Sequence, residues 1–328
     1  MKIREKLLQR KSRLKFIITE DQDLNSCKRV DEFIHQQLVK NGSLDPKKIS
    51  DFRPGYRAWL FLSNTFNFAI SGIHTNSKGE ICNNITLFPC KSWDGQNEIL
   101  SAQIADTFTD KSYLGLGLFD EAILGAINQI SKRQHHLIYG FPNPFSLPGY
   151  IKRMNFQRIE QGIVTQIRAT SLTRILMRII PNASAGIVKI FKKVDPLRKL
   201  VWLESALAKK NRAINFQYCD DIDDDFYKLW ESLSKNINFL NVRNAEFMNW
   251  RYLLSDQEFK IYKLKNEAVF LGYIVTLEKT DALNIRNLWL VDWLYDKNNK
   301  QLCENEIIKF LKKHAVQCQA DNIIIQQS

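Results

Sequence analysis

An internal repeat is the feature that most restricts the fold of this chain. The segment "IADTFTDK" returns later as "LVDWLYDK", with both aspartates and the lysine in the same places. In each copy a strand-like run precedes the second aspartate and a helical pattern follows it. An apolar strand pattern then begins 27 positions further on, counted from Asp110 to Leu137 and from Asp296 to Ile323. Equal spacing predicts two copies of one strand–helix–strand unit.

The flanking sequence predicts an α+β fold in two domains. Short strand-like runs such as "FNFAISGI" and "AVFLGYIVTL" are separated by turn signals, and their arrangement indicates mostly antiparallel, twisted sheets flanked by helices. We expect an N-terminal domain at residues 1–165, a connector at 166–212 and a C-terminal domain at 213–328.

The connector carries much of the net charge of +12. Eight basic residues between positions 165 and 199 stand against one acid, Asp195, with apolar residues interleaved at helical spacing. This pattern predicts amphipathic helices that either pack on a core or meet an anionic surface, such as lipid headgroups or a phosphorylated substrate. Nucleic acid is not an expected partner, because no recognised nucleic-acid motif accompanies the charge.

The rest of the composition predicts a cytoplasmic protein. No apolar run reaches the ~18 residues that a membrane span needs, and the basic N-terminus lacks an apolar signal core. Peripheral contact with the inner membrane face is a further expectation from the connector. The six cysteines form no Cys-x-x-Cys pair, which predicts reduced thiols and no metal site.

Two glycines, Gly115 and Gly117, stand between the strand and the helix of the first copy. Backbone N–H groups at a helix start are unpaired and carry partial positive charge, and glycine lets an anion approach them. The second copy has "NNKQLCEN" at this place, without glycine. The sequence therefore predicts a pyrophosphate site in the first copy alone, with a tight turn that binds no ligand as the open alternative.

Residues 102–156 resemble the GNAT acyltransferase superfamily. In that superfamily a strand is followed by a Gln/Arg-x-x-Gly-x-Gly/Ala loop around the pyrophosphate of acetyl-CoA; the window here is "SYLGLG". "IYGFPNPFSLPGYIKRMNF" is similar to the superfamily's second cofactor strand and the helix after it. "EFMNWRYLLSDQEFKIYKL" and "LGYIV" resemble a branch found in bacterial surface-polysaccharide gene clusters. The resemblance implies tandem GNAT-like domains and acetyl-CoA, or another acyl-CoA, as cofactor.

The resemblance also implies a set of cofactor-binding residues. Ser112 replaces the usual Gln or Arg, and leucines replace basic residues inside the loop, so backbone donors remain and weaker binding is expected. Lys111 and Arg153 are further sources of positive charge for the phosphates. The implied cofactor-binding residues are Thr107, Phe108, Ser112, Tyr113, Leu114, Gly115, Leu116, Gly117, Asn143 and Lys152.

Two catalytic residues follow from the resemblance. Acyl transfer needs a base for the acceptor and an acid for the leaving thiolate. Tyr150 is one residue from the position of the superfamily's acid, and Asp106 lies on the strand that flanks the thioester. A structural role for Asp106 stays open, since Asp292 recurs in the copy without glycines. His74, His135 and His136 are alternatives.

The implied activity is transfer of an acetyl or other acyl group to an amine or hydroxyl of a small acceptor, such as an amino sugar for surface polysaccharide. Trp250, Arg251 and Tyr252 are candidates for holding the acceptor, because aromatic faces stack on sugars and arginine binds carboxylate or phosphate. Burial of Trp250 and Tyr252 in a core is the competing interpretation. A binding module without catalysis is the alternative function.

Overall fold

The computed structural model describes residues 9, 11–20, 24–40, 56–159, 164–173, 179–180, 186, 190–191, 194–207, 214–267, 269–281 and 284–327. The chain divides into two compact units. The first unit comprises Met1–Arg158 and Ser234–Asp256, and the second comprises Ile159–Leu233 and Gln257–Ser328. Among the helices within the described ranges, none is long and apolar enough to cross a bilayer.

Twelve strands and eight α-helices are found in the described part of the chain. In chain order they are β1 (Lys15–Thr19), α1 (Leu24–Lys40), α2 (Tyr56–Leu62), β2 (Ile70–Thr75), β3 (Ile81–Trp93), β4 (Glu98–Thr109), α3 (Leu118–Ser131), β5 (Leu137–Gly140), α4 (Leu147–Met154), β6 (Val164–Ala169), α5 (Pro196–Leu207), β7 (Asn215–Cys219), α6 (Asp224–Ser234), β8 (Leu240–Asn241), α7 (Ala245–Met248), β9 (Phe259–Asn266), β10 (Val269–Thr280), β11 (Arg286–Tyr295), α8 (Lys300–Gln317) and β12 (Asn322–Gln327).

The sheet of the first unit has the strand order β1-β2-β3-β4-β5, and the short β8 pairs with the end of β3. Only β4 and β5 pair in parallel. Helix α3 covers one face of the sheet, because one set of its apolar residues recurs at helical spacing and is buried. These residues are Leu118, Ala122, Ile123, Ala126 and Ile130. On the other face, a second cluster joins α2 to β3 through Trp59, Phe61 and Phe88.

Strand β4 extends beyond the end of β5 and bulges near its own C-terminal end. The parallel pairing stops at Ile104 and Gly140, so residues 105–109 continue without β5 beside them. One extra residue is inserted in β4, because Asn84 pairs with Phe108 while Thr86 pairs with Ala105. Asp106 lies in this bulge with a φ of 50°. Among the described strands, this part of β4 has no parallel neighbour, which leaves an opening in the sheet at the end where the chain turns toward α3.

The second unit repeats this plan with the strand order β6-β12-β11-β10-β9-β7. Only β11 and β12 are parallel, and α8 connects them as α3 connects β4 and β5. Strand β11 has an extra residue next to Asp292, since Val275 pairs with Asp292 and Thr276 with Leu290. The predicted fold class, α+β with two mostly antiparallel sheets flanked by helices, is confirmed.

The second repeated aspartate, Asp110 or Asp296, caps a short helical turn in each unit. Asp110 accepts a hydrogen bond from the N–H of Ser112 at 2.9 Å, and Asp296 accepts one from the N–H of Asn298 at 3.0 Å. Each caps one turn of 3-10 helix. The next four positions differ: residues 114–117 are a loop before α3, whereas residues 300–303 are the first turn of α8.

The compact units differ from the expected boundaries of 1–165, 166–212 and 213–328. Strand β6 pairs with β12 and so belongs to the second unit. Residues 234–256 belong to the first unit, where Trp93 Nε1 donates to the Ile237 carbonyl at 3.0 Å and β8 extends the sheet. The connector side chains of Arg174, Arg178, Lys189, Lys192 and Lys193 lie outside the described residues.

Gly72 allows α3 to lie directly on β2, which gives a first prediction. A Cβ at this position would stand 2.5 Å from the carbonyl oxygen of Ala122. Gly72→Ala should therefore lower the free energy of unfolding by about 1–3 kcal/mol. Ser77→Ala, at an exposed turn, is the control and should cost less than about 0.5 kcal/mol. Chemical denaturation compares the two, and equal stabilities would contradict the close packing of α3 on β2.

Candidate functional site

The loop before α3 keeps its glycines open. Gly115 and Gly117 have φ values of 80° and 73°, a region that glycine adopts without strain. Within the described structure, no heavy atom lies within 4 Å of the position that a Cβ would occupy at either glycine. Leu116 and Leu118 are buried beside Cys82 and anchor the loop. The buried leucine side chains therefore hold the loop in place, while the backbone at the two glycines stays accessible.

The start of α3 suits an anion. Gly117 is the N-cap and offers no side-chain cap, so the first N–H groups of α3 are available to an external acceptor. Lys111, just before the loop, and Lys152, on α4, are both exposed. Arg153 is less available, because it pairs with Asp120 at 3.3 Å.

A basic pocket of about 590 Å³ lies beside this loop. Its lining includes Arg13, Lys15 and Arg29, which sequence reasoning did not single out. Leu14 lines the pocket and also packs against the cluster formed by Leu116 and Leu118. Leu14 therefore connects the wall of this basic pocket to the loop, which has no charged side chain of its own.

Tyr150 lies beside the bulge of β4. Its hydroxyl is 2.8 Å from Thr107 Oγ1, and its ring is buried against Phe119 and Phe156. Burial raises the pKa of Tyr150, with the Thr107 hydrogen bond opposing. The hydroxyl is therefore protonated at neutral pH and able to donate a hydrogen bond. The structure thus brings together Thr107 and Tyr150, which the sequence predicted separately.

Asp106 is held by a fully buried arginine. Arg57 Nη2 donates to Asp106 Oδ2 at 2.8 Å, while Arg57 Nε donates to Asp31 Oδ1 at 3.2 Å. Arg57 Nη1 donates to Thr86 Oγ1 at 3.1 Å, and the guanidinium lies 4.5 Å from the Phe61 ring centroid. One cation is thus shared between two carboxylates, one on α1 and one on β4.

This sharing leaves the cluster with one more carboxylate than cations. Burial raises the pKa of Asp31 to about 6; the Arg57 charge and hydrogen bond oppose the rise, and the Asp106 charge adds to it. The side chains of Asp31 and Asp106 are 12% and 18% exposed, whereas that of Arg57 is 0% exposed. Both carboxylates are therefore partly reachable from solvent, and Asp31 is able to take up a proton near pH 6. The ion pair with Arg57 also gives Asp106 the structural role that the sequence left open.

Sequence reasoning missed Arg57 and Asp31, although each had a signal. Arg57 is the one charged residue in the apolar run "YRAWLFL". Asp31 follows Val30 and lies four positions after Cys27, which places it on the buried face of α1. A charge on an apolar helix face needs a partner, and each of these two is a partner of the other.

Trp250 and Tyr252 are core residues of the first unit. Trp59 Nε1 donates to the Trp250 carbonyl at 2.8 Å, Trp250 Nε1 donates to the Trp59 carbonyl at 3.4 Å, and the rings stack at 5.6 Å. Tyr252 is also buried, and the Arg251 guanidinium lies 5.3 Å from the Trp59 ring centroid. The faces of these aromatics are occupied by protein, so Arg251 alone of the three has an accessible side chain. Their substrate role stays a prediction.

Other predicted residues serve local structure. Asn143 Oδ1 accepts from the N–H groups of Phe145 and Ser146, at 2.9 Å each, and so stabilises a turn. Phe108 packs against the buried residues of α1. Ser112 Oγ bonds to Asp110, and Tyr113 OH lies 3.3 Å from Asn76 Nδ2.

Two of the alternative histidines are also structural. His74 is buried, with Nδ1 3.1 Å from Asn83 Oδ1 and its ring stacked on Phe16 at 4.7 Å. His135 Nδ1 lies 2.9 Å from the Arg133 carbonyl, and burial lowers its pKa. His136 is exposed.

Solved structures with the same fold include several acyltransferases. The chain superposes on a GCN5-related N-acetyltransferase from Anabaena variabilis with a TM-score of 0.58 and 14% identity, covering 96% of this chain and 66% of that one. Saccharomyces cerevisiae N-myristoyltransferase with bound myristoyl-CoA gives a TM-score of 0.60 and 9% identity, with coverages of 96% and 76%. A probable N-acyltransferase from Enterococcus faecalis gives a TM-score of 0.57 and 13% identity, covering 95% of this chain and 65% of that one.

These likenesses establish the predicted GNAT-like fold. The chain spans about two thirds of the length of the Anabaena and Enterococcus proteins. No protein-family model matches the sequence, and no curated protein matches it.

Asp31 gives a prediction on stability and pH. Its folded-state pKa of about 6 exceeds the ordinary value of 3.8, so between about pH 4 and pH 6 the folded state binds more protons than the unfolded state. Stability should therefore fall as pH rises through this window. Asp31→Asn resembles the protonated side chain, so it should match the parent at pH 4. Above pH 6 the variant should be more stable than the parent by about 2–3 kcal/mol.

Chemical denaturation at several pH values measures this difference. The charged groups that face Asp31 among the described residues are Arg57 on α2 and Asp106 on β4. Glu32→Gln, an exposed neighbour on α1, is the control and should follow the pH dependence of the parent. A difference between Asp31→Asn and the parent that does not change from pH 4 to pH 7 would show that Asp31 does not titrate in this way.

Proposed function

We propose that the first unit binds acyl-CoA and transfers its acyl group to an amine or hydroxyl of a small acceptor. The observation that carries this proposal is the open glycine loop at the start of α3, which follows a strand that extends beyond the end of its parallel neighbour. The GCN5-related and N-myristoyltransferase structures named above share this fold, and the latter contains bound myristoyl-CoA. Their activities support the same class of reaction in this chain.

The cofactor would lie along the opening between β4 and β5. Its pyrophosphate would meet the backbone N–H groups of residues 115–119, where the partial charge of α3 attracts anions. Lys111 and Lys152, with the basic pocket beside the loop, would add charge that the loop side chains lack. The acyl group would reach the bulge at Thr107 and Phe108.

The reaction needs two proton transfers, one from the acceptor and one to the leaving thiolate, and the groups at the bulge fit both. The acceptor attacks the thioester carbonyl, forming a C–N or C–O bond as the C–S bond breaks. Tyr150 would donate a proton to the departing thiolate. The acceptor's proton would pass to the Asp31–Asp106 pair, which Arg57 holds in place. Each positioned acid or base contributes typically ~10²–10⁴-fold to the rate.

The second unit would bind no acyl-CoA. At the place of the glycine loop it has the first turn of α8, residues 300–303, without a glycine, and the Lys300 N–H donates to the Lys297 carbonyl. Asn299 precedes this turn with a φ of −107° and side chains stand at every position. We therefore propose one cofactor per chain.

The proposal extends to the identity of the acceptor and to the place in the cell where the protein acts. An amino sugar linked to surface polysaccharide, with Arg251 meeting an anionic group on it, follows from the resemblance of the sequence. Contact of the basic connector with an anionic membrane on the cytoplasmic side follows from its charge pattern.

A binding module without catalysis is the second candidate. The observation that favours it is the loop itself, because Leu114 and Leu116 occupy places where the superfamily has basic residues. Turnover separates the two candidates, since both would bind acyl-CoA and only the enzyme would release free thiol.

Gly117→Glu should abolish acyl-CoA binding. The new carboxylate would stand over the N–H groups of α3 and repel the pyrophosphate. Gln134→Glu is the control, because Gln134 is exposed, has a φ of 66° and lies past the opposite, C-terminal end of α3. Calorimetry with acetyl-CoA should show one site in the parent, one in the control and none in Gly117→Glu. Unchanged binding in Gly117→Glu would place the site elsewhere, and two sites in the parent would contradict the assignment of the second unit.

Tyr150→Phe should lower kcat by about 10²-fold while acetyl-CoA affinity stays within about twofold. The change removes only the hydroxyl that meets Thr107. Thiol release from acetyl-CoA in the presence of a panel of amino sugars measures turnover. Tyr139→Phe is the control, because the Tyr139 hydroxyl contacts Cys90 and Asn241 instead. Equal turnover in Tyr150→Phe and the parent would remove Tyr150 from the mechanism, and no turnover in any variant would favour the binding module.

A further inference from the structure

Three side chains able to bind a metal converge in the second unit. They are Glu278 on β10, and His314 and Cys318 at the end of α8, and their ligand atoms all lie within 4.8 Å of one another. We propose that these three residues bind a divalent cation that accepts sulfur, with Zn²⁺ the best fit. The site is separate from the acyl-CoA site, so neither proposal depends on the other.

The helix brings two of the ligands together. His314 and Cys318 are four positions apart, and residues at this spacing lie one above the other on a helix. The N–H of Cys318 donates to the His314 carbonyl at 2.9 Å, which continues the helical turn past Gln317. Glu278 comes from a neighbouring strand. Two ligands at i and i+4 with a third from another element is a common arrangement at zinc sites.

The distances fit a tetrahedral ion. With Zn–N and Zn–O bonds of about 2.0–2.2 Å, two such ligand atoms lie about 3.4 Å apart. His314 Nε2 and Glu278 Oε1 are 3.6 Å apart, which is beyond hydrogen-bond distance. The ligand atoms lie up to 4.8 Å apart, so Cys318 Sγ would need to move by about an ångström to bind the same ion. Cys318 is the residue that ends α8, and the Glu278 side chain is 27% exposed, so both are able to adjust.

The donor atoms are also available. Among the described residues, His314 Nε2 is buried without a hydrogen-bond partner. Its ring is held by stacking on Phe310 at 5.6 Å and by an edge contact with Tyr262 at 5.8 Å. Cys318 Sγ makes a long contact of 3.7 Å to the Ala315 carbonyl. A buried imidazole nitrogen with no partner is costly, and a metal bond would satisfy it.

The nature of the donors selects the metal. Nitrogen, sulfur and carboxylate oxygen together suit Zn²⁺, whereas Mg²⁺ and Ca²⁺ prefer oxygen donors alone. On binding, the Cys318 thiol becomes a thiolate and its proton passes to solvent. Three protein ligands leave a fourth position open for water or another molecule.

Lys260 competes with the metal for Glu278. Lys260 Nζ lies 2.7 Å from Glu278 Oε1, so an ammonium group neutralises the carboxylate. The Lys260 side chain is 40% exposed and is therefore able to move into solvent. Its charge would still repel a bound cation, so removal of the charge should tighten binding.

The sequence expectation of no metal site depended on the absence of Cys-x-x-Cys pairs. It also depended on the absence of a nearby histidine at ligand spacing, and this premise is wrong, because His314 stands four residues before Cys318. Glu278 is distant in sequence, so the third ligand became evident only when β10 was placed beside α8.

Metal titrations of the full-length protein test the site. Co²⁺ should give a thiolate-to-metal absorption band, and Zn²⁺ should displace it with one ion per chain. Cys318→Ser should remove the band, and both Cys318→Ser and His314→Ala should weaken Zn²⁺ binding by at least about tenfold. Cys219→Ser and His136→Ala are the controls and should bind like the parent. Lys260→Gln should bind several-fold more tightly.

Circular dichroism confirms that each variant is folded, and Cys318→Ser carries the test by itself if His314→Ala does not fold. The absence of a Co²⁺–thiolate band in the parent would overturn the proposal. Retention of the band in Cys318→Ser would overturn it as well, and so would equal or weaker binding in Lys260→Gln. Acetyl-CoA binding measured on the same samples reports on the other site, so failure of one proposal leaves the other standing.

Discussion

The guanidinium of Arg57 is a full charge with no exposure to solvent, and much of the first unit is arranged to satisfy it. Its partners come from α1, β3 and β4, so one side chain ties two helices to the centre of the sheet. Asn84 Nδ2 donates to the Asp106 carbonyl at 2.9 Å, which fixes the bulge from its backbone side. Arg57 stabilises the fold through these ion pairs, but its single positive charge neutralises only one of the two carboxylates. One negative charge therefore remains beside the opening of the sheet. Structure and proposed chemistry therefore depend on the same ion pairs.

The parts of this structure that the sequence predicted are those encoded locally. The strand–helix–strand repeat, the glycine loop and the buried stripe of α3 each lie within a few dozen residues, where spacing and turn chemistry decide the outcome. The ion pairs of Arg57 join positions 26 and 49 residues apart, and the Trp59–Trp250 pair joins positions 191 apart. Nothing in a local pattern specifies which distant strand or helix will lie opposite a given side chain. For this reason Trp250 was predicted as a sugar platform and is found stacked in a core.

The two copies differ at four positions, which form the glycine loop in one copy and the first turn of a helix in the other. From Asp110 to Leu137 and from Asp296 to Ile323 the count is the same, and both copies begin with an aspartate-capped turn. Two glycines with positive φ keep four residues out of the helix in one copy. In the other copy those four positions join α8 and add one turn to it. The first copy thus keeps four residues as a loop with open glycines, whereas the second uses the same four positions to lengthen its helix.

Residues 234–256 and strand β6 give this chain an unusual connectivity, since the polypeptide passes from one unit to the other three times, at 158/159, 233/234 and 256/257. No single cut in the backbone yields two fragments that each contain a whole sheet with all its strands. Neither sheet is therefore built from one continuous stretch of chain. During synthesis the first sheet receives β8 only after β6 and β7 of the second sheet have been made.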